Sequence, residues 1–191
     1  MFYRVKIRDH IRVPPDTFGL QKEQAVLQRA KKDYEGFISA KLGFVIDVLG
    51  VERVGEGVIV PGDGAAYYDS TVELLTFRPD LQEVVLSKVR DIAEFGTFMT
   101  LGPAEGMIHI SQTMDDYVSF SKDKVLSGRE SNRSLRVNDK CRARIVAVSY
   151  KDVANPKIGL TMRQEGLGRL EWLSASEEPK EPKEPKGKKG L

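Results

Sequence analysis

Hydrophobic and polar residues alternate in short segments of the second half of the chain. Residues 89–92, 97–101 and 141–149 read as strands, Phe95-Gly96 turns the first into the second, and Gly106 opens another strand. Because side chains in a strand point alternately to opposite faces, Met107 and His109 share one face and Ile108 and Ile110 share the other. The pattern predicts an all-β unit whose isoleucines fill the core while His109 lies outside it.

The first half predicts a strand, an amphipathic helix and further strands. Residues 1–13 alternate as a long strand does, and Pro14-Pro15 stops it. Apolar residues then recur at spacings typical of an amphipathic helix, and Gly36 stands where a helix commonly ends: Leu20, Val26, Leu27, Ala30 and Tyr34. Segments 43–54, 57–60 and 66–77 are rich in Val, Ile, Tyr and Phe, so we expect an α+β domain with the helix packed on their sheet.

A glycine-rich turn separates two of these strands. The segment Val60-Pro-Gly-Asp-Gly-Ala65 has glycines that permit positive φ and a proline that stiffens its start. It lacks the Gly-Lys-Ser/Thr ending of a phosphate-binding loop and a helix behind it. A plain hairpin turn is therefore the better interpretation.

An excess of positive charge lies in the second half of the chain. Between Lys122 and Arg163 there are 11 basic and 4 acidic residues, the electrostatic footprint expected beside a phosphate backbone. Arg142 and Arg144 alternate with apolar residues on a predicted strand, so both project from one face, where they can meet phosphates or stack on bases. The alternative is that these charges only solvate the surface.

Composition excludes several classes of site. The single cysteine, Cys141, excludes an internal disulfide, and the two histidines, His10 and His109, form no cluster at metal-ligand spacing. Aspartates of the first half are scattered singly rather than gathered for metal-assisted phosphoryl transfer. No stretch approaches the roughly 20 apolar residues that span a bilayer. We expect a soluble, cytoplasmic protein without cofactor or metal.

The motifs FGTFM, at residues 95–99, and GMIHIS, at residues 106–111, resemble the S1 RNA-binding domain, a five-stranded OB-fold barrel. The resemblance continues through 141–149 and through KIGLTM at 157–162, which corresponds to the family's closing strand. Carried onto matching positions, it implies that Phe95, Phe98 and His109 stack on bases and that Lys157 is a basic contact. Together with Arg142, Arg144 and Lys88, these residues are the candidate RNA contacts. Ser149 stands where many members carry an acidic residue that helps read the ligand.

An insertion, Thr113 to Ser134, separates the third and fourth strands of this predicted barrel. It is rich in Asp, Ser, Lys and Arg, and it is longer than a typical connection. Long ordered loops in compact domains are usually functional. The insertion either extends the nucleic-acid surface or contacts a neighbouring protein.

The resemblance extends to the first half of the chain through three further segments: FYRVKIRDHIRVPP, Tyr34-Glu35-Gly36 and IVPGDGAAYY. With them, nearly the whole chain is similar to the archaeal RNA polymerase stalk proteins, which are counterparts of the seventh subunit of eukaryotic RNA polymerase II. The resemblance implies an RNP-like tip domain of curved antiparallel sheet plus helix at 1–80 and the S1 domain at 81–173. The polar composition of 174–191 separately predicts a disordered charged tail.

That resemblance also implies partners. The tip domain would dock on the polymerase core, the F subunit of the stalk would form a heterodimer with the chain, and emerging single-stranded RNA would bind the S1 domain in support of initiation and elongation. The implied docking loop comprises Gly55, Gly57, Pro61, Gly62, Asp63 and Gly64.

Two other functions are compatible with an S1 domain. A nuclease is disfavoured because only about 80 residues lie outside the barrel and they carry no carboxylate cluster. A free-standing RNA-binding adaptor in translation or RNA degradation remains the alternative.

At the end of the chain, 163–173 is predicted as a short helix, with Trp172 against the barrel. The Glu-Pro-Lys repeats beyond it are too polar to form ordered structure.

Overall fold

A computed structural model describes residues 1–177, in which strands predominate. The N-terminal domain contains one long helix, α1 (Lys22–Tyr34), one short 3-10 segment (Pro15–Thr17), and four strands: β1 (Phe2–Val13), β2 (Ile38–Ser39), β3 (Gly43–Ile59) and β4 (Ala66–Phe77). The second domain contains nine strands and a final helix: β5 (Val84–Ala93), β6 (Gly96–Leu101), β7 (Ala104–His109), β8 (Val118–Ser121), β9 (Val125–Gly128), β10 (Ser134–Arg136), β11 (Lys140–Ser149), β12 (Lys157–Thr161), β13 (Gly168–Arg169) and α2 (Leu170–Glu177).

The N-terminal domain is an antiparallel sheet in the order β1-β4-β3-β2, with α1 packed on one face. Val26 and Ala30 of the helix are completely buried against Val72 and Leu74 of β4. These residues come from the apolar stripe that the helical spacing predicted, and Pro14 ends β1 as expected. The predicted α+β arrangement is confirmed.

Strand β3 is longer than the sequence indicates. The segments 43–54 and 57–60, predicted as two strands, form one strand that pairs with β4 through four register shifts. Such shifts add residues to one strand and bend the sheet. Gly55 and Gly57 therefore lie inside β3 and not in a loop, and a Cβ at Gly57 would stand 2.7 Å from the ring of Tyr68.

The face of this sheet opposite α1 carries ion pairs that join β1 to other parts of the domain. Basic residues of β1 meet acidic residues of β3, β4 and their connection, in the pairs Arg4–Glu73, Lys6–Glu52, Arg8–Asp69 and Arg12–Asp63. Exposed pairs of this kind each contribute little to stability. Their charges keep the edge strand β1 from pairing indiscriminately with other chains.

The second domain is a closed five-stranded barrel. Strands β5, β6 and β7 form an antiparallel meander, β11 pairs with β5, and β12 closes the barrel by pairing with both β11 and β7. Ile108 is completely buried, whereas Met107 and His109 are exposed, as the alternation predicted. Ile110 instead belongs to a short 3-10 segment, Ile110–Gln112, and is half-buried.

The insertion at 113–134 is a small sheet of its own. Strands β8, β9 and β10 pair antiparallel in the order β10-β9-β8, with a turn around Lys124 joining β8 and β9. Met114 and Leu126 of the insertion, and Leu135 directly after it, are buried in the same cluster as the barrel core. The insertion is therefore held to the barrel by its own apolar residues.

The two domains share one hydrophobic cluster. Phe44 and Phe77, opposite each other on β3 and β4, are buried in the cluster that contains the barrel core. Phe2 packs on Phe77 with ring centroids 5.1 Å apart, and the hydroxyl of Tyr3 donates to Asp80 at 2.5 Å. Because the apolar core crosses the domain boundary, the N-terminal sheet and the barrel support each other.

The final helix begins later than the sequence indicates. Gly166 and Gly168 both have positive φ, and α2 starts only at Leu170 rather than at residue 163. Trp172 packs on the barrel cluster, as predicted, and the guanidinium of Arg133 lies 5.5 Å from its ring centroid. Of the tail predicted at 174–191, the first four residues belong to α2, and the remainder lies outside the described residues.

We expect Phe77→Ala to lower the free energy of unfolding by about 3–5 kcal/mol, because it leaves a cavity where both domains contribute side chains. Urea denaturation measures this loss. The matched control is Phe37→Ala, which removes an exposed ring of the same domain and should change stability by no more than about 0.5 kcal/mol. Equal, small effects of both substitutions would contradict a shared core.

Candidate nucleic-acid interface

Two phenylalanine rings meet on the outside of the barrel where β5 turns into β6. Phe95 is 54% exposed, Phe98 is half-buried, and their centroids lie 5.9 Å apart in an edge-to-face arrangement. Gly96, between them, pairs with His109 on β7, and a Cβ there would collide with the carbonyl oxygen of Ile108. The glycine thus permits the close strand approach that brings both rings beside His109. We call Phe95, Phe98 and His109 the ring cluster.

His109 is held in one orientation by the residue two positions ahead. Its Nδ1 accepts the backbone N–H of Ser111 at 3.3 Å and lies 2.8 Å from the Ser111 hydroxyl. The imidazole is exposed and offers a flat ring for stacking.

The basic candidates are spread around the barrel. Lys88 is exposed and lies across from Thr100 on β6, two residues along that strand from Phe98. Arg142 faces outward two strands from the ring cluster, and its guanidinium donates to the carbonyl of Gly166 at 3.3 Å. Lys157 begins β12, whose pairing with β7 places it toward the Glu105 end and away from His109.

Arg144 faces outward like Arg142, as the alternation predicted, but it is half-buried. Its Nε is buried and has no hydrogen-bond partner among residues 1–177. The structure therefore brings Phe95, Phe98 and His109 together, with Lys88 nearby, and leaves the other three basic candidates farther along the barrel.

Two residues that the sequence reasoning did not select lie at the ring cluster. Met107 is exposed and pairs with Phe98 across β6 and β7. The alternation had already placed it on the face of His109, so that signal was available. Lys124, in the β8–β9 turn, forms an ion pair with Asp91, which lies opposite Phe98, at 2.7 Å. Its partner is 33 residues away, so no local pattern could reveal the contact.

The start of the insertion is organised by one carboxylate. Asp116 accepts hydrogen bonds from the backbone N–H groups of Ser131 at 2.8 Å, Glu130 at 3.0 Å and Tyr117 at 2.6 Å, and from the Ser131 hydroxyl at 2.7 Å. These donors lower the pKa of Asp116 to about 2. The carboxylate fixes the segment that carries Tyr117.

The predicted docking loop is a tight turn at the end of a long hairpin. Pro61, Gly62, Asp63 and Gly64 are exposed between β3 and β4, and both glycines have positive φ. Asp63 accepts from Arg12 at 2.5 Å and from the Tyr67 hydroxyl at 2.6 Å, and these donors lower its pKa to about 2. The turn is thereby fixed to the neighbouring strands.

An apolar surface adjoins this turn. Val58 and Ile59, at the end of β3, are 63% and 64% exposed. Phe18 and Leu20, in the connection between β1 and α1, are exposed and line a cleft of about 280 Å³ with Ile59. We call Phe18, Leu20, Val58, Ile59 and Val60 the apolar tip.

The described residues offer no metal centre. Within residues 1–177, no group of three or more His, Cys, Asp or Glu side chains is arranged to hold an ion, and no helix is long and apolar enough to cross a membrane. The chemistry that the site can perform is stacking, hydrogen bonding and charge attraction.

Two family models match the two domains. The SHS2 domain found in the N terminus of Rpb7p, Rpc25p and MJ0397 matches residues 8–64, and the S1 RNA binding domain matches residues 78–155. DNA-directed RNA polymerase subunit Rpo7 of Saccharolobus solfataricus is 35% identical over 180 residues, which cover 93% of this chain and all of that protein. This chain belongs to the Rpo7 family of RNA polymerase subunits.

More distant relatives extend the likeness. Rpo7 of Sulfolobus acidocaldarius is 31% identical over 91% of this chain and 96% of its own. DNA-directed RNA polymerase II subunit 7 of Arabidopsis thaliana is 24% identical over 79% of this chain and 85% of its own. Membership of the Rpo7 family confirms the resemblance read from the tip segments and the S1 motifs.

Replacement of Asp116 by Asn should destabilise the protein at pH 7 and have progressively less effect as the pH falls from about 4 to 2. The pKa of Asp116 is about 2 in the folded chain, below its ordinary 3.8, so the ionised form stabilises the fold and this contribution is lost on acidification.

The midpoints of urea denaturation of the wild type and Asp116→Asn, measured from pH 7 to pH 2, give the difference in stability between the two proteins. Asp123→Asn is the charge-matched control, since it removes one negative charge from an exposed turn of the same insertion. A difference that stays constant down to pH 2.5 would show that the hydrogen bonds to Asp116 do not stabilise its ionised form.

Proposed function

We propose that this chain is a non-catalytic stalk subunit of an archaeal RNA polymerase that binds single-stranded RNA as it leaves the enzyme. The observation that carries the proposal is the ring cluster on the outer face of the S1 barrel, in a chain of the Rpo7 family. In the proposed division, residues 1–80 dock on the polymerase core and residues 81–173 bind the transcript in the cytoplasm.

Binding would be driven by stacking. Each base stacked on an aromatic side chain contributes on the order of 1–3 kcal/mol, with little dependence on sequence because every base has a π-face. Phe95 and His109 expose ring faces to solvent, and Lys88 places a positive charge beside Phe98 for the backbone. The remaining basic candidates, Arg142, Arg144 and Lys157, would act along the path of a longer strand.

The apolar tip would dock on the polymerase core. Its neighbouring turn, with Pro61, Gly62, Asp63 and Gly64, is fixed by Arg12 and Tyr67, so the surface needs little ordering when it binds. Gly55 and Gly57 would contribute indirectly, because close packing inside β3 shapes the hairpin. Exposed side chains of this size, gathered at one end of a domain, are typical of a protein interface.

A second apolar surface suits the F subunit of the stalk. Leu81, Val84 and Leu86 are exposed where the two domains meet, beside a cleft of about 260 Å³ that includes Phe2 and Leu101. Its position at the junction lets one partner contact both domains at once. We propose this junction as the heterodimer interface.

Substitution of the exposed rings tests RNA binding. We expect Phe95→Ala and His109→Ala each to weaken binding of a single-stranded RNA oligonucleotide at least about five-fold, since each removes one stacking surface. Fluorescence anisotropy measures the dissociation constant, and thermal unfolding verifies that the variants fold.

Phe37→Ala is the matched control, because it removes an exposed ring far from the S1 motifs in sequence and should leave RNA binding unchanged. If neither ring-cluster variant differs from the wild type, the ring cluster is not the RNA site. If the wild type binds no RNA, the proposed RNA-binding function is wrong.

Polymerase docking is tested by the double substitution Val58→Ser and Ile59→Ser. Replacing exposed apolar side chains should reduce recovery of the large polymerase subunits with the tagged chain while leaving its fold intact, because both side chains already face solvent. The matched control is Val153→Ser, in an exposed loop of the barrel. Undiminished recovery of the polymerase would exclude the apolar tip as the docking surface.

A further inference from the structure

A cleft lies between the ring cluster and the insertion. Its volume is about 560 Å³, and its walls include Ile110, Ser111, Asp115, Tyr117, Glu130 and Arg163. Ser111 is the residue that fixes the imidazole of His109, so the cleft begins where the ring cluster ends. An RNA strand stacked on His109 can continue into the cleft without leaving the barrel surface.

The cleft contains an exposed aromatic ring on a fixed backbone. Tyr117 is 77% exposed. Its backbone N–H donates to Asp116 at 2.6 Å, and its carbonyl accepts from the N–H of Arg129 at 2.9 Å. The ring makes little contribution to the core, yet its backbone is anchored on both sides, as expected for a preorganised stacking surface.

The charges around the cleft favour a base over a phosphate. Arg163 donates to the carboxylate of Asp115 through Nε at 2.9 Å, and its second nitrogen lies 2.8 Å from the same oxygen. The arginine is thereby neutralised, and Glu130 adds another negative charge. A phosphate would be repelled, whereas a neutral base can donate to Asp115 and accept from Arg163.

The other end of the insertion is fixed beside the same ring cluster. Lys124 pairs with Asp91 opposite Phe98, while Leu126 and Leu135 are buried in the barrel cluster. Thr161 donates to the side chain of Gln112 at 2.9 Å, which ties β12 to the segment leading into the insertion. The cleft wall is therefore rigidly related to the ring cluster, which a site that reads consecutive nucleotides requires.

We propose that this cleft binds one unpaired nucleobase of the RNA, stacked on Tyr117 and hydrogen-bonded by the Asp115–Arg163 pair. The proposal rests on RNA binding by the ring cluster and adds one nucleotide to its footprint. It assigns the insertion to the nucleic-acid surface rather than to a neighbouring protein.

Abasic scanning tests the assignment in the full-length chain. A single-stranded RNA decamer is prepared with one abasic nucleotide at each position in turn, and dissociation constants are measured for the wild type, Tyr117→Ala and Tyr117→Phe. We expect Tyr117→Ala to bind the intact decamer at least about five-fold more weakly, the loss of one stacked base, and Tyr117→Phe to bind it as the wild type does.

The position of the lost contact identifies the base. For one abasic position, the wild type should bind the abasic decamer only as tightly as Tyr117→Ala binds the intact decamer. Tyr117→Ala should bind this abasic decamer and the intact decamer equally well. At positions read by the ring cluster, both proteins should lose affinity equally. Arg163→Gln should leave the dependence of affinity on salt unchanged, because the cleft holds no phosphate.

The outcomes separate the two proposals. Equal binding of the decamer by the wild type and Tyr117→Ala, with His109→Ala still weakened, would overturn the cleft and leave the ring cluster intact. A lower salt dependence in Arg163→Gln would make the cleft a phosphate site and also overturn the assignment. No RNA binding by the wild type would instead refute the proposed function itself.

Discussion

The packing of Phe44 and Phe77 into the barrel cluster is the contact on which the rest of the arrangement depends. A barrel and a four-stranded sheet of this size each bury a modest fraction of their surface alone. Because they share one apolar cluster, the two domains stabilise each other, with the apolar tip on one domain and the ring cluster on the other. The proposed function, in which one domain docks on a polymerase and the other binds a transcript, requires this connection between the domains.

Alternation and turn chemistry predicted the barrel because both are local. Ile108 is buried and His109 exposed since strand periodicity alone decides the face, and Gly96 is needed because two strands approach closely there. The S1 motifs encode the same constraints, so the ring cluster could be chosen before the structure was known. The same holds for α1 in part, because Val26 and Ala30 of the predicted stripe are buried, whereas Leu20 lies before the helix and is exposed.

Features that depend on distant residues were missed or mistaken. The register shifts of β3 depend on its pairing with β4. Two of them fall at Gly50 and Gly57, but glycines there also indicate a break between two strands, which is how the sequence pattern was interpreted. No strands were predicted in the insertion, because its strands are three or four residues long and too short to show a clear alternation of apolar and polar residues. Its attachment through Lys124 and Leu126 depends on barrel residues far away in sequence.

The charge count of the sequence overstated the positive surface for a related reason. Of the 11 basic residues between Lys122 and Arg163, Lys124 and Arg163 are paired with aspartates, and Arg133 lies over the ring of Trp172. Paired cations attract phosphates weakly, and Arg142, Arg144 and Lys157 lie farther along the barrel. The local excess of positive charge in the sequence is therefore not an excess at the ring cluster. At the proposed RNA site, affinity would then come mainly from rings held in place by backbone contacts, as His109 is by Ser111. Stacking of this kind accepts any base, which suits the proposed contact with transcripts of any sequence.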